Sequence, residues 1–438
     1  MKPRRYQLSK EATAIVFRDQ PWIFRDHLSS AATVFNDGDW LKLVDGKNTV
    51  IGYAIYDAEG AIAIRIVRRG DKKPDATWLK GVLKKALEKR ATLSKRTNAT
   101  RLVHGESDGL PGVVVDRFGD VLVAQSYTRG ADALARFAAI ALANELKIKH
   151  VMLRPALRRK GEEQPARVLR GKPPAVVAIK EDGIEYAVDL ASGQKSGTYL
   201  DLRALRRALA TGFAEVKQLP PPPVEVAKVK PDKHRGVADP SQGTTRAPKV
   251  VAKPAAAKAV PTARLLTPVK FDRVLNLFAY SGMLGRAAEQ AGATEITDVD
   301  ASETALAFAK AHHAKNAAHH TYVAADIFKW LPDLAAKEMY DVVIVDPPAM
   351  TSNKQQVPAV LAGYKKLYRA AAPHVKPGGL IVVACCTSRV ERALFRSTAA
   401  SVLSDDFAKV LDIAPEADHP VAFPQADYLK IEVWRRNE

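Results

Sequence analysis

Residues 273–300 read RVLNLFAYSGMLGRAAEQAGATEITDVD, and this stretch decides the fold. An apolar run, Val274–Phe278, leads into a loop of small residues around Gly282. A helical segment, Met283–Ala291, follows, and then a second apolar run, Glu295–Val299. Strand, loop, helix, strand is the unit of a parallel sheet, because a parallel neighbour is reached only by a crossover, usually helical. The alternation continues to the end of the chain. Strands are predicted at Tyr322–Ala324, Val342–Val345, Leu380–Cys385, Lys409–Ile413 and Tyr428–Trp434. Helices are predicted at Ser302–Asn316, Phe328–Ala336, Val357–Ala372 and Val390–Leu403. The expected fold is α/β: a Rossmann-like, doubly wound sheet of seven strands that binds ligands beyond the carboxyl ends of its strands.

Those strand ends carry the residues with chemistry. The first loop, Ala279–Gly285, opens a helix with glycine, so the backbone can approach a ligand. It is not GxGxxG, and the dinucleotide fingerprint is not met. Asp300 ends the second strand and suits a ribose diol; with Ser302 it also suits a helix cap. Asp326 closes the third strand, where a carboxylate can accept from an adenine amino group. Glycine loop, ribose acid and adenine acid on successive strands make an adenosine-cofactor signature, and S-adenosylmethionine is the cofactor expected. The fourth strand ends in Asp346-Pro347-Pro348. Prolines cannot continue a ladder, so Asp346 is either presented at the cleft mouth or simply forms a turn. Ala349 follows, where methyltransferases of exocyclic amines often have an aromatic ring. The fifth strand ends in Ala384-Cys385-Cys386-Thr387. A cysteine at a strand end is commonly a small buried hydrophobe. At this edge, however, a thiolate would face the same cleft as Asp346. Carbon 5 of a pyrimidine is too weak a nucleophile to take a methyl group directly, and thiolate addition at carbon 6 activates it. A thiol of free pKa ~8.5 needs help from its surroundings for that.

The rest of the chain is basic and modular. Lys and Arg number 67 against 48 acids, a formal charge of +19, consistent with a polyanion partner such as nucleic acid or merely with a basic tail. The only two cysteines, Cys385 and Cys386, are adjacent, which suits neither a disulfide nor a zinc site. No metal is expected, and a reducing, cytoplasmic setting is the simplest. No apolar run is long enough for a membrane helix, and no secretory signal opens the chain. Residues 1–70 suggest a β-rich module, with strands at Trp40–Leu43, Val50–Ile55 and Ala61–Val67. A basic amphipathic helix is predicted at Trp78–Arg90. Then come a hairpin, Gly112–Asp116 with Val121–Gln125, a helix at Ala131–Leu146 and a strand at His150–Arg154. From Arg154 to Lys172, seven basic residues against two acids suggest a loop that is solvated or touches phosphates. Residues 214–265 hold nine of the 27 prolines, and their basic, Ala/Lys/Val-filled composition predicts a disordered insertion.

Several longer segments carry a resemblance. They are Pro21-Trp22-Ile23-Phe24, the run Arg101–Gly112 (RLVHGESDGLPG), Asp116-Arg117-Phe118-Gly119-Asp120, Gly193–Asp201 (GQKSGTYLD) with Arg203, Asp418-His419-Pro420 and Tyr428-Leu429-Lys430. Together with the strand-end motifs they resemble the cytosine-5 methyltransferases of large-subunit ribosomal RNA that carry an N-terminal PUA domain, within the class I S-adenosylmethionine-dependent enzymes. The likeness covers nearly the whole chain except the insertion. It implies a PUA-like RNA-binding domain at 1–72, a central α/β RNA-contacting domain at 73–190 and the methyltransferase domain at 191–438. It aligns Cys386 with the cysteine of the family's Ser-Cys-Ser motif, which makes Cys386 the nucleophile and Asp346 its partner at ring nitrogen 3. The implied cofactor-binding set is Lys195, Ser196, Phe278, Tyr280, Gly282, Asp300, Ala301, Asp326, Ile327, Asp346 and Pro347. The implied partner is large-subunit ribosomal RNA, with no membrane; a homodimer is left open. The chain departs from the family at Gln20, where the family has histidine, and at Ala349-Met350, where it has Lys-Phe. Related enzymes with the same motifs methylate guanine, so a guanine ring nitrogen is the alternative target, with Cys386 dispensable. A catalytically inactive RNA-binding or ribosome-assembly protein is the third.

Overall fold

Alternating apolar positions near the N-terminus build a five-stranded sheet in the order β1-β3-β4-β5-β2. Its strands are β1 (Arg4–Gln7), β2 (Trp22–Phe24), β3 (Trp40–Val44), β4 (Val50–Tyr56) and β5 (Ile62–Arg69). A helix not expected from the sequence, α1 (Lys10–Phe17), starts where the Ser9 hydroxyl accepts from the backbone N–H of Ala12, and it buries Ala12 and Val16 in this core. At eight residues it is too short for its periodicity to stand out. The computed structural model describes residues 2–18, 20–28, 34–155, 165–193, 196–214, 268–351 and 353–438. Lys195, the basic run 158–160 and all but the first residue of the insertion expected at 214–265 lie outside the described residues.

The central module comprises α2 (Ala76–Arg90), β6 (Ala99–His104), β7 (Val113–Phe118), β8 (Val121–Ser126), α3 (Asp132–Glu145), β9 (His150–Arg154), β10 (Arg167–Arg170) and a hairpin of β11 (Val176–Glu181) and β12 (Ile184–Asp189). Strands β6 to β10 form a sheet in the order β10-β9-β8-β7-β6. Leu83 of α2 and Leu134, Ala138 and Leu142 of α3 pack in the core on one side. The hairpin packs in a second core through Val177, Ile179 and Tyr186, with Phe118 and Val123 of the sheet. β10 lies inside the segment expected to be a basic loop, with Val168 opposite Met152. Arg154, one of the seven basic residues counted in that loop, donates to the carbonyls of Leu190 and Gly193 at 2.9 and 2.8 Å.

The C-terminal module holds α4 (Arg203–Ala210), β13 (Arg273–Leu277), α5 (Met283–Gln290), β14 (Glu295–Asp300), α6 (Glu303–His312), β15 (His320–Ala324), α7 (Ile327–Trp330), β16 (Tyr340–Val345), α8 (Val357–Ala371), β17 (Val375–Cys385), α9 (Arg392–Leu403), β18 (Phe407–Ile413) and β19 (Lys430–Arg436). Seven strands lie in the order β15-β14-β13-β16-β17-β19-β18; the first five pair in parallel, and β19 runs antiparallel to β17 and β18. This is the doubly wound sheet expected. α4 and α5 pack on one core, α8 and α9 on the other. Val342–Val345 are therefore fully buried, as central parallel strands require. α7 is shorter than predicted, because Pro332 has no N–H to extend it and the chain tightens into a 3-10 turn at Leu331–Asp333. The winding reverses between β13 and β16, and a crevice opens at that switch point.

Candidate active site

The loop after β13 is bent by backbone conformations that side-chain-bearing residues avoid. Phe278 and Tyr280 have φ of 62° and 49°, each costing on the order of 1–3 kcal/mol unless the surroundings hold it. Three hydrogen bonds do so. The Ala279 N–H donates to the Val299 carbonyl at 3.0 Å, and the Gly282 N–H to the Ala279 carbonyl at 2.9 Å. The Tyr280 N–H donates to the Asp300 carboxylate at 2.8 Å. Gly282, at φ 71°, then caps α5. Gly285 must lack a side chain for another reason: a Cβ there would lie 2.7 Å from both carboxylate oxygens of Asp298. Asp298 is fully buried and accepts from the Asn276 amide at 2.7 Å, so of the two aspartates on β14 it is the structural one.

The crevice is a cleft of about 270 Å³. One part of its wall is Phe278, Tyr280, Asp300 and Ala301; another is Asp326 and Ile327; a third is Asp346, Pro347 and Cys386. Asp300 accepts from two backbone N–H groups, those of Tyr280 and Ser302, both at 2.8 Å. Asp326 caps α7 by accepting from the Phe328 N–H at 3.1 Å, and its side chain is 51% exposed. The cap alternatives raised by the sequence are thus real, and each carboxylate keeps acceptor sites beyond them. Asp346 and Cys386 share one cleft because β16 and β17 are paired neighbours, Val345 opposite Val383, and each residue directly follows its strand. The half-buried Cys386 thiol donates to the Pro347 carbonyl at 3.6 Å, whereas Cys385 is fully buried in the core under α8 and α9. Ser196 is placed elsewhere. It is fully buried, donates to Asp116 at 2.5 Å and does not line the cleft.

Sequence inspection missed Thr198, Tyr199, Asp201, Arg206 and Leu429 in the cleft wall. Tyr199 meets Tyr280 edge to face, with centroids 5.4 Å apart. Burial pushes its phenol above the usual range, and Tyr280 and Cys386 nearby push it further, so it remains a donor at neutral pH. Asp201 accepts from the Tyr428 hydroxyl at 2.7 Å. The segment Gly193–Asp201 carried the signal. Which of its side chains turn inward depends on the 3-10 turn at Leu200–Leu202.

The long motif at 101–112 does not enter the cleft; it forms the junction of the modules. Arg101 pairs with Asp116 at 2.8 and 2.9 Å, and Arg90 with Asp108 at 3.0 and 2.5 Å. Glu181 of the hairpin takes Arg206 at 2.6 and 2.9 Å and Arg203 at 3.1 Å. Asp418 accepts from Arg203 at 2.7 Å and from the Arg101 N–H at 3.1 Å. Burial opposes its charge, but His419 and Arg203 hold its carboxyl well below the usual range. Glu106 accepts from Trp22 of β2 and Arg65 of β5, both at 2.7 Å, and Trp22 packs edge-on to Phe423 at 5.0 Å.

Comparison with known proteins fits this architecture. Residues 268–432 match the family model described as S-adenosylmethionine-dependent methyltransferase, and residues 7–69 match a PUA-like domain. Residues 268–432 thus carry an S-adenosylmethionine-dependent methyltransferase domain. Two curated relatives are named Ribosomal RNA large subunit methyltransferase I. The protein from Alteromonas mediterranea is 28% identical over 431 residues, and that from Shewanella denitrificans 29% over 430; each alignment covers 94% of both chains. A methyltransferase solved in complex with SAH shares the fold with a TM-score of 0.75, at 19% identity over 99% of this chain and 100% of its own. The cofactor of this methyltransferase is S-adenosylmethionine. The donor set at its strand ends fits such a group: carboxylate acceptors at Asp300 and Asp326, with flat apolar surface at Phe278 and Ile327 between them. Among the described residues, no helix is long and apolar enough to cross a membrane.

Proposed function

We propose that this methyltransferase forms 5-methylcytosine in large-subunit ribosomal RNA, with Cys386 as a covalent nucleophile. The observation that carries the reading is one thiol and one carboxylate, Cys386 and Asp346, on adjacent strand ends in the wall of the cofactor cleft. The names of the relatives, the PUA-like domain and the net charge of +19 support the substrate class. Asp300 holds the ribose, Asp326 the adenine amino group, and Phe278, Ala301, Ile327 and Pro347 the flat faces. When bound, the cofactor supplies an electrophilic methyl group.

The target cytosine leaves its stack so that its edge reaches the cleft. The Cys386 thiol proton passes by way of the Asp346 carboxylate to ring nitrogen 3 as the sulfur adds at carbon 6, so the carbon–sulfur bond forms while the charge developing on the ring is neutralised. Carbon 5 becomes nucleophilic, takes the methyl group and loses its proton to a base. The carbon–sulfur bond then breaks and the thiol is regenerated. Pro347 and Pro348 occupy the stretch where a second, releasing cysteine could stand, so the cycle uses one cysteine. The ribosomal substrate sets a cytoplasmic location.

The covalent step is tested by trapping. Ribosomal RNA carrying 5-fluorocytidine cannot lose a proton from carbon 5 of the target, so the adduct should persist. A complex stable to denaturing electrophoresis is expected with the wild-type protein and absent with Cys386→Ala. No complex from the wild type, with methyl transfer to unmodified RNA intact, would refute the adduct.

A further inference from the structure

Behind the cleft, and not lining it, lies a closed polar cluster centred on Thr387. Thr387, Tyr364 and Lys430 are each 0% exposed. The Thr387 hydroxyl accepts from the Met350 backbone N–H at 3.3 Å and shares a hydrogen bond with the Tyr364 hydroxyl at 3.3 Å. Its carbonyl accepts from the Lys430 ammonium at 3.1 Å, and the same ammonium donates to the Val390 carbonyl at 2.8 Å. Burial lowers the pKa of Lys430. A buried amine is costly unless it is well bonded, and here it is bonded to the loop that follows Cys386.

The placement gives this cluster a purpose. The paired register of β16 and β17 ends at Val345 opposite Val383. Beyond it, Asp346 and Cys386 stand on separate loops. Two stitches then join those loops: Cys386 to the Pro347 carbonyl, and Thr387 to the Met350 N–H. The first depends on a thiol that the proposed chemistry engages in every cycle. The second rests on the buried Thr387 hydroxyl, which the proposed chemistry leaves untouched.

The geometry points to Thr387 as a positioning residue for methyl transfer: with Tyr364 and Lys430 it clamps the Cys386 loop to the Asp346 loop and fixes the two reacting groups relative to each other. This rests on the reading of Cys386 and Asp346 as the reacting pair. Displacements near 1 Å cost about 100-fold in rate, so a hydroxyl that touches neither cofactor nor base can still govern turnover.

Thr387→Val keeps the shape and removes the hydroxyl; Thr387→Ser keeps the hydroxyl. Thr387→Val is expected to slow single-turnover transfer to ribosomal RNA about 10- to 100-fold while calorimetric affinity for S-adenosylmethionine stays within about twofold. Thr387→Ser should recover to within about threefold of wild type. Tyr364→Phe should slow transfer in the same direction by less. A second measurement needs no RNA. Alkylation of Cys386 by iodoacetamide, followed by mass spectrometry, should be about fivefold faster in Thr387→Val, whose loop is released, and unchanged in Thr387→Ser. Unchanged alkylation in Thr387→Val overturns the proposal whatever the transfer assay gives. So does a Thr387→Ser variant as slow as Thr387→Val, which would make the methyl packing and not the hydroxyl responsible. Should Cys386→Ala still transfer methyl groups while Thr387→Val alters alkylation, the covalent reading falls and the clamp stands.

Discussion

Two regions of this methyltransferase use the same residue types to opposite ends. At the module junction, Arg90, Arg101, Arg203 and Arg206 meet Asp108, Asp116, Glu181 and Asp418, and the charges are buried and satisfy one another. In the cleft at the strand ends, Asp300 and Asp326 are held mainly by backbone N–H groups, which orient a carboxylate without saturating it. The junction is closed and sets the geometry of the modules; the cleft stays open to a ligand. A charged residue is informative about function only once its partners are known.

Breaking the junction should cost stability and little else. Asp108→Asn leaves Arg90 buried beside a neutral partner, and breaking a buried pair costs about 3–5 kcal/mol. The urea midpoint should fall accordingly, with cofactor affinity of the folded protein within about twofold of wild type. A loss of affinity without a loss of stability would reverse the roles assigned to the two regions.

Acid should act on the buried histidines next. Burial, with His419 and Arg101 nearby, pushes His104 down to about 2, and burial pushes His313, set against the backbone of Ser281 and Ala187, down to about 4. The unfolded chain takes up both protons as pH falls below about 6.5, whereas the folded protein does not. Stability is therefore complete above about pH 6.5 and declines below it, by up to about 1.4 kcal/mol per pH unit for each histidine. Melting temperatures between pH 7.5 and 5 check this; a flat profile would contradict the neutral, buried state of both rings.

The cleft should show the converse pattern with a smaller effect. Asp300→Asn keeps the size of the side chain and weakens its acceptor strength. Cofactor affinity should fall about tenfold, or about 1.4 kcal/mol, with stability changed by less than about 1 kcal/mol. Equal losses in both would mean that Asp300 serves the loop more than the ligand.

Much of this was legible in the sequence because periodicity and strand-end residues are local signals. The seven strands, the loop at Gly282 and the acids Asp300, Asp326 and Asp346 follow from the alternation of apolar runs. What was not legible depends on tertiary pairing. α1 and the β11–β12 hairpin are short, and their faces are defined only by the cores they meet. The motif at 101–112 stood out in the sequence, yet Arg101 and Asp108 pair within their own module and Glu106 turns to Trp22 and Arg65 of the N-terminal sheet, none of them entering the cleft. Within Gly193–Asp201, the resemblance pointed to Lys195 and Ser196; Lys195 lies outside the described residues, Ser196 turns to Asp116, and Tyr199 and Asp201 line the cleft.

The most direct measurement is methyl transfer from labelled S-adenosylmethionine to large-subunit ribosomal RNA, wild type and Cys386→Ala side by side, followed by nucleoside analysis. The account predicts label in 5-methylcytosine with the wild type and none with the variant. Label in a guanine, or equal labelling by both proteins, would leave the fold and cofactor intact and contradict the thiolate mechanism.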